Sequence, residues 1–209
     1  MRCLPAGESA LLVELADGER AEALHAELLR RRATGELRVV EIVPAARTVL
    51  LDGVENPRQL AAWLRELPVP PLEARAGGAV EIPVVYDGPD LAEVAAHWGL
   101  GAREAALAHA ATEFRVAFCG FAPGFAYLTG LPQNRSVPRR ATPRTAVPKG
   151  SLALAGPYTG VYPRSSPGGW QLIGTTDLEM WDADRSPAAL LTPGARVRFV
   201  PRRLPGDAP

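Results

Sequence analysis

Between Gly120 and Trp170, eight prolines and eight glycines fall among 51 residues. Proline fixes φ and removes a backbone donor, and glycine admits conformations closed to other residues, so neither a long helix nor an uninterrupted strand can cross this window. Short strands joined by tight turns, or a long irregular loop, remain possible. Irregular chain of this length inside a folded domain is more often functional than not. From Phe114 onward the helical period is lost, and residues 114–121, 125–128, 151–155, 160–162, 171–175 and 196–200 read as short strands. Their number and spacing predict a closed barrel or a sandwich.

The chain ahead of the window follows other periods. Residues 10–15 are apolar and strand-like, and Asp17-Gly18 is a turn signal. Ala21, Leu24, Leu28 and Leu29 then recur at helical spacing within 19–32, with Arg and Glu between them. Residues 37–43 and 48–51 form two apolar, β-branched runs around Pro44-Ala-Ala-Arg47, which predicts a pair of antiparallel strands. Asn56-Pro57 opens a second helix as N-cap and first helical residue, with Leu60, Trp63, Leu64 and Leu67 on one face.

Pro68-Val-Pro-Pro71 and Arg75-Ala-Gly-Gly78 suit neither helix nor sheet interior, so the domain boundary is expected there. This divides the chain into residues 1–76, an α+β domain, and 77–209. The second part begins with a strand over 80–86, a short helix over 90–98 capped by Asp90, and another over 102–111.

Composition excludes several function classes. The 209 residues hold 23 basic and 23 acidic side chains, so no net positive field favours nucleic acid or an anionic membrane surface. No apolar run approaches the roughly 20 residues needed to cross a bilayer. Cys3 and Cys119 cannot build a disulfide framework, and residues 1–6 lack the basic and apolar regions of a secretory signal, so a reducing cytoplasm is expected. His25, His97 and His109 lack ligand-spaced partners, and no metal site is expected. Phosphate-loop, dinucleotide, nucleophile-elbow and zinc-protease motifs are all missing. Cys119 sits in an apolar run and reads as an inert thiol.

The side chains inside the Pro/Gly window suit a planar, anionic small molecule: aromatic faces, guanidinium forks and glycines that expose backbone. Arg139, Arg140 and Arg144 lie between prolines that hold them as extended presenters. One or two of them suffice to clamp a carboxylate or phosphate, leaving a third solvated on the rim. Gly168-Gly169 permits positive φ, so their amides could point at an anion, although a tight hairpin turn explains the pair equally well.

These residues also carry a family resemblance. Phe114-Arg-Val, Gly120-Phe-Ala-Pro-Gly-Phe125, Pro138-Arg-Arg-Ala-Thr-Pro-Arg144, Gly150-Ser151 and Ser166-Pro-Gly-Gly-Trp-Gln-Leu-Ile-Gly174 resemble the 5-oxoprolinase B-subunit family, also described as allophanate hydrolase subunit 1 or KipI. The resemblance implies an N-terminal α+β domain followed by a cyclophilin-like closed β-barrel, an α+β fold overall. It also implies two partners, a KipA-like barrel protein (the C subunit of 5-oxoprolinase) and a LamB/YcsF-type protein (its A subunit). In that system ATP, with Mg bound by the complex, activates the lactam carbonyl of 5-oxo-L-proline for hydrolysis to L-glutamate. The isolated B subunit is expected to be inactive.

Related barrels serve as an inhibitor of a histidine kinase and as half of a biotin-dependent, urea-type carboxyltransferase, which are the alternative functions. On the main reading Arg140 and Arg144 supply cations and Gln171 a donor to the reacting group. The substrate-binding candidates are the aromatic Phe121, Phe125, Tyr127 and Tyr162, together with Ser166, Gly168 and Gly169. The chain departs from the family pattern in its short Tyr86-Asp-Gly-Pro-Asp90 loop, in Ala46 where a tyrosine is common, and in its only lysine, Lys149, where a small residue is usual.

Overall fold

The computed structural model describes residues 1–71 and 78–207. The chain divides into two compact units, Met1–Arg75 and Ala76–Pro209, and the boundary expected at residues 76 and 77 lies outside the described residues.

In the first unit, β1 (Arg2–Pro5), β2 (Ala10–Glu14), β3 (Glu41–Pro44) and β4 (Thr48–Asp52) form an antiparallel sheet in the order β1-β2-β4-β3. Two helices, α1 (Gly18–Ala33) and α2 (Pro57–Glu66), complete it. Alternation along β2 and β4 turns Leu11, Val13, Val49 and Leu51 into one core with Leu24, Leu28 and Leu64 of the helices. The Asn56 side chain accepts from the Gln59 N–H at 3.1 Å, with Pro57 in the first turn, as the sequence predicts.

Two details differ from expectation. The strand expected over 37–43 begins only at Glu41, because Glu36 and Leu37 donate their N–H groups to the Arg31 carbonyl at 2.9 and 3.2 Å and close the end of α1. Strand β1 carries no sequence signal: it is four residues long and ends in Pro5, which an edge strand tolerates.

The second unit is a closed barrel of β10 (Tyr158–Val161), β7 (Ala126–Thr129), β6 (Glu113–Cys119), β13 (Arg196–Arg203), β5 (Val80–Val85), β12 (Gln171–Thr175) and β9 (Ser151–Ala155), in that order. Among the described residues, only β13 and β5 run parallel. Ile82, Val84, Phe114, Leu128, Leu152 and Phe199 belong to its buried core. Helices α3 (Leu91–His97) and α4 (Ala102–Ala110) follow β5. Two short strands, β8 (Arg144–Val147) and β11 (Ser166–Gly168), pair with each other outside the barrel. Neither reads as a strand in the sequence, because Pro143, Pro148 and Pro167 sit in or beside them.

His109 of α4 is fully buried between the Tyr86 hydroxyl, 2.9 Å from Nδ1, and the Thr159 hydroxyl, 3.3 Å from Nε2. Burial pushes its pKa down to about 3. The unfolded chain therefore binds a proton below about pH 6.5 that the folded chain refuses, and stability is lost as pH falls from there towards 3. From pH 7 to pH 5 the loss expected from this group is about 2 kcal/mol. Urea unfolding at the two pH values checks it, and His109→Gln, which cannot titrate, should flatten that part of the pH dependence.

Candidate functional site

The site is organised around Asp90, whose side chain is 4% exposed. The sequence predicts Asp90 as the cap of α3, but its side chain makes no capping bond. One oxygen, Oδ1, accepts from Arg140 Nη1 at 2.8 Å and Arg144 Nη2 at 2.7 Å, while Oδ2 accepts from the Leu172 N–H at 2.7 Å. The Asp90 N–H returns a bond to the Leu172 carbonyl at 2.9 Å. Two guanidiniums and the Leu172 N–H thus take the carboxylate that a cap would have used, and ion pairs with two cations outweigh one backbone bond.

Local structure delivers each partner. The Arg140 N–H donates to the Gly169 carbonyl at 2.8 Å, and Arg144 opens β8 opposite Gly168 on β11. Gly88 lies against β12 so closely that a Cβ would stand 2.4 Å from the Leu172 carbonyl oxygen, and this fit seats Asp90 on the strand. Two cations on one carboxylate leave the group with a net positive charge. Gln171, also buried, directs Nε2 towards the Pro138 carbonyl at 3.4 Å and Glu93 Oε1 at 3.5 Å.

Among the described residues, Arg140 Nε, Arg144 Nη1 and Gln171 Oε1 are buried with no hydrogen-bond partner. Each such group costs about 1–3 kcal/mol, and clusters of them are kept where function needs them. Beside them Arg144, Asp87, Gly88, Ser151, Leu172 and Thr175 contribute to a cavity of about 290 Å³, near the lower end of small-molecule pockets. The short loop after Tyr86 thus borders this cavity.

The aromatic candidates separate. Phe125 and Tyr162 are each 2% exposed and belong, with Trp170, to a packed cluster in which Phe125 meets Tyr127, Tyr162 and Trp170 edge-on at 5.0–5.3 Å. Phe125, a substrate-binding candidate from sequence, is therefore packed inside this cluster and offers little open face for stacking. Tyr127 is half-buried, its ring stacked on Phe118 at 4.3 Å. Phe121 is 60% exposed and holds a φ of 67°, the sole positive value of any described residue other than glycine.

The polar and glycine candidates also take specific places. The Ser166 hydroxyl turns back to the Arg164 carbonyl at 3.2 Å. Neither Gly168 nor Gly169 adopts a positive φ, so of the two readings the sequence leaves open the amide nest is not formed. Gly168 serves close approach instead: a Cβ there would lie 2.3 Å from the Tyr162 hydroxyl oxygen.

Burial raises the Cys119 thiol to about 11, consistent with an inert group. Lys149 pairs with Glu179 at 2.6 Å with both side chains half-exposed, a surface contact worth about 0–1 kcal/mol. Among the described residues no group of three or more His, Cys, Asp or Glu side chains is placed to hold a metal ion, and no helix is long and apolar enough to cross a membrane.

The family model described as "Carboxyltransferase domain, subdomain C and D" matches residues 1–191, which sets the class of the protein. The crystal structure of the Kluyveromyces lactis urea carboxylase shares this fold, with a TM-score of 0.70 at 18% identity over 95% of this chain and 21% of that one. The crystal structure of TTHA0988 is nearer, with a TM-score of 0.76 at 34% identity; the match covers 95% of this chain and 41% of that longer one. The 5-oxoprolinase B subunit of Escherichia coli O157:H7 is 42% identical over 97% of this chain and 96% of its own length. The chain belongs to the 5-oxoprolinase B-subunit family.

Proposed function

We propose that the chain acts as the B subunit of an ATP-dependent 5-oxoprolinase complex that opens 5-oxo-L-proline to L-glutamate in the cytoplasm. The observation that carries this reading is the 42% identity to a 5-oxoprolinase B subunit along 97% of the chain. A KipA-like C subunit and a LamB/YcsF-type A subunit complete the assembly, and ATP with Mg is held by the whole complex.

The geometry is compatible with that chemistry. A lactam is a poor electrophile, and activation at its oxygen calls for positioned cations and donors rather than a protein nucleophile. Arg140 and Arg144, fixed by Asp90 and left with a net positive charge, are such cations, and Gln171 stands beside them. The half-buried Cys119 thiol, its pKa raised to about 11, and the neutral, fully buried His109 are poor candidates for a competing nucleophile or base.

Co-expression with the other two proteins of the complex, followed by measurement of ATP turnover, tests the proposal. ATP hydrolysis should rise when 5-oxo-L-proline is added and should release L-glutamate. A complex that assembles yet consumes ATP at a rate indifferent to 5-oxo-L-proline would overturn it.

A further inference from the structure

Helix α3 is tied at both ends to one irregular stretch of chain. At its start Asp90 receives Arg140 and Arg144. At its far end His97 Nε2 donates to the Ser136 carbonyl at 3.0 Å, and Trp98 Nε1 donates to the Arg135 carbonyl at 2.9 Å. The Arg135 guanidinium lies over the Trp98 ring, 5.4 Å from its centroid. Between these ends the buried Gln171 directs Nε2 to both the Pro138 carbonyl at 3.4 Å and Glu93 Oε1 at 3.5 Å. Numbers rise along the stretch as they fall along the helix, so residues 136–140 run antiparallel to α3 as a strap.

The strap depends on such outside holds. Residues 138–140 have no regular secondary structure, and Val137 makes one isolated bridge, to Gly156, with bonds of 3.3 and 2.6 Å. Arg140 adds its N–H to the Gly169 carbonyl at 2.8 Å, while Arg139 is exposed and makes no hydrogen bond or ion pair among the described residues. From Asp90 to His97 the helix rises about 10 Å, and the chain from Ser136 to Arg140 reaches at most about 14 Å when extended. The difference allows a slip of about one residue. A slip of that size would break the 2.8 Å bond between Arg140 and Asp90, so the point at which residues 135 and 136 are held decides whether the guanidinium arrives.

We propose that Trp98 and His97 are positioning residues for the reaction: by holding the Arg135 and Ser136 carbonyls they set the register in which Arg140 meets Asp90. The assignment rests on the 5-oxoprolinase reading, in which Arg140 serves the reacting end. Their effect travels through the strap backbone to a guanidinium whose buried Nε has no hydrogen-bond partner among the described residues. Trp98 is the stronger hold, because it is half-buried and its ring packs against the barrel core, whereas His97 is exposed and its bond competes with water.

The test is a double-mutant cycle in the reconstituted complex, with Arg140→Gln and with Trp98→Phe, which keeps an aromatic ring against the core and removes the Nε1 donor. Trp98→Phe should lower kcat about 3- to 10-fold, the range for one lost hydrogen bond, while the KM for 5-oxo-L-proline moves less than about twofold. In complexes already carrying Arg140→Gln the same change should have no further effect on kcat, because the register then positions no guanidinium. An unchanged kcat in the single variant overturns the proposal. So does an equal loss in both backgrounds, which a merely structural tryptophan would give.

Amide hydrogen exchange in the free full chain is the arm that needs no turnover. Trp98→Phe should speed exchange at Val137, Arg140 and Gly156 about 3- to 10-fold and leave the amides of β2 and β13 unaltered. His97→Ala should act at the same three amides, less strongly. Exchange that is unchanged at Val137 and Arg140, or accelerated equally throughout the chain, overturns the proposal. If the wild-type complex shows no 5-oxoproline-dependent turnover, the function reading has failed, and the exchange arm alone decides whether Trp98 sets the strap; it decides likewise if Arg140→Gln leaves no turnover to compare.

Discussion

Asp90→Ala is expected to destabilise the folded chain by about 3 kcal/mol and to remove the activity of the assembled complex. Removing one partner of a buried pair leaves the other charge uncompensated, typically at about 3–5 kcal/mol. Here the lower end applies, because the Arg140 and Arg144 side chains keep 32% and 23% of their exposure. Set against a total of about 5–15 kcal/mol for an ordinary domain, the loss is severe. Urea unfolding at pH 7 measures it. Asp90→Asn separates the functions of the residue: its amide oxygen still accepts from the guanidiniums, but its NH2 then faces the Leu172 N–H from which Oδ2 now accepts, so stability should fall by less than in Asp90→Ala without being fully kept. Activity should fall by about 100-fold, equivalent to about 2.7 kcal/mol, because neither arginine is held by charge. An Asn variant with unaltered turnover would show that the arginines need no carboxylate to find their positions.

Gly88→Ala should produce the second large effect. A Cβ at this position would meet the Ile173 carbonyl carbon at 2.4 Å, the Leu172 carbonyl oxygen at 2.4 Å and the Gly174 nitrogen at 2.5 Å, all of them backbone. No rotamer change relieves such a clash, and β12 is held in the closed barrel between β5 and β9. The loop after Tyr86 must therefore move away, breaking both bonds between Asp90 and Leu172. A loss of about 3 kcal/mol, the upper end of ordinary overpacking, is expected in the same unfolding measurement. Activity should drop with it, since the displaced carboxylate no longer lies under Arg140 and Arg144. Gly101→Ala is the control: its Cβ would meet nothing nearer than Glu104 Oε2 at 3.5 Å, and the change should stay within about 1 kcal/mol.

Much of the architecture is legible in local pattern. Short apolar runs mark β2, β4, β9 and β12; helical spacing marks α1 and α2; Asn56-Pro57 marks the start of α2. Each depends on a few neighbouring residues whose backbone geometry and burial share one period. Local pattern misleads where two requirements compete. Leu37 begins a run apolar enough for a strand, yet its N–H and that of Glu36 are used to close the end of α1. Prolines in or beside β8 and β11 hide both strands, although their pairing is what presents Arg144.

In the candidate site, Arg140, Arg144 and Gln171 stand out from sequence because a guanidinium or amide amid prolines has few structural duties. Asp90 does not stand out, since an acidic residue before an apolar run is the ordinary signature of a helix cap. Its true partners lie 50 and 54 residues away along the chain. Phe125 and Tyr127 look interchangeable as aromatic letters, but edge-on packing buries one and leaves the other half-open.

Sequence alone therefore determined the α+β class, the run of short strands and the arginine-bearing window, because composition and period act over a few residues at a time. Only the tertiary structure decided which arginine is free. Barrel closure brings the loop after Tyr86 onto β12, and the carboxylate carried there captures Arg140 and Arg144 but not Arg139. Charge pairing is settled by distance across the fold, and distance across the fold is not written in the spacing of residues along the chain.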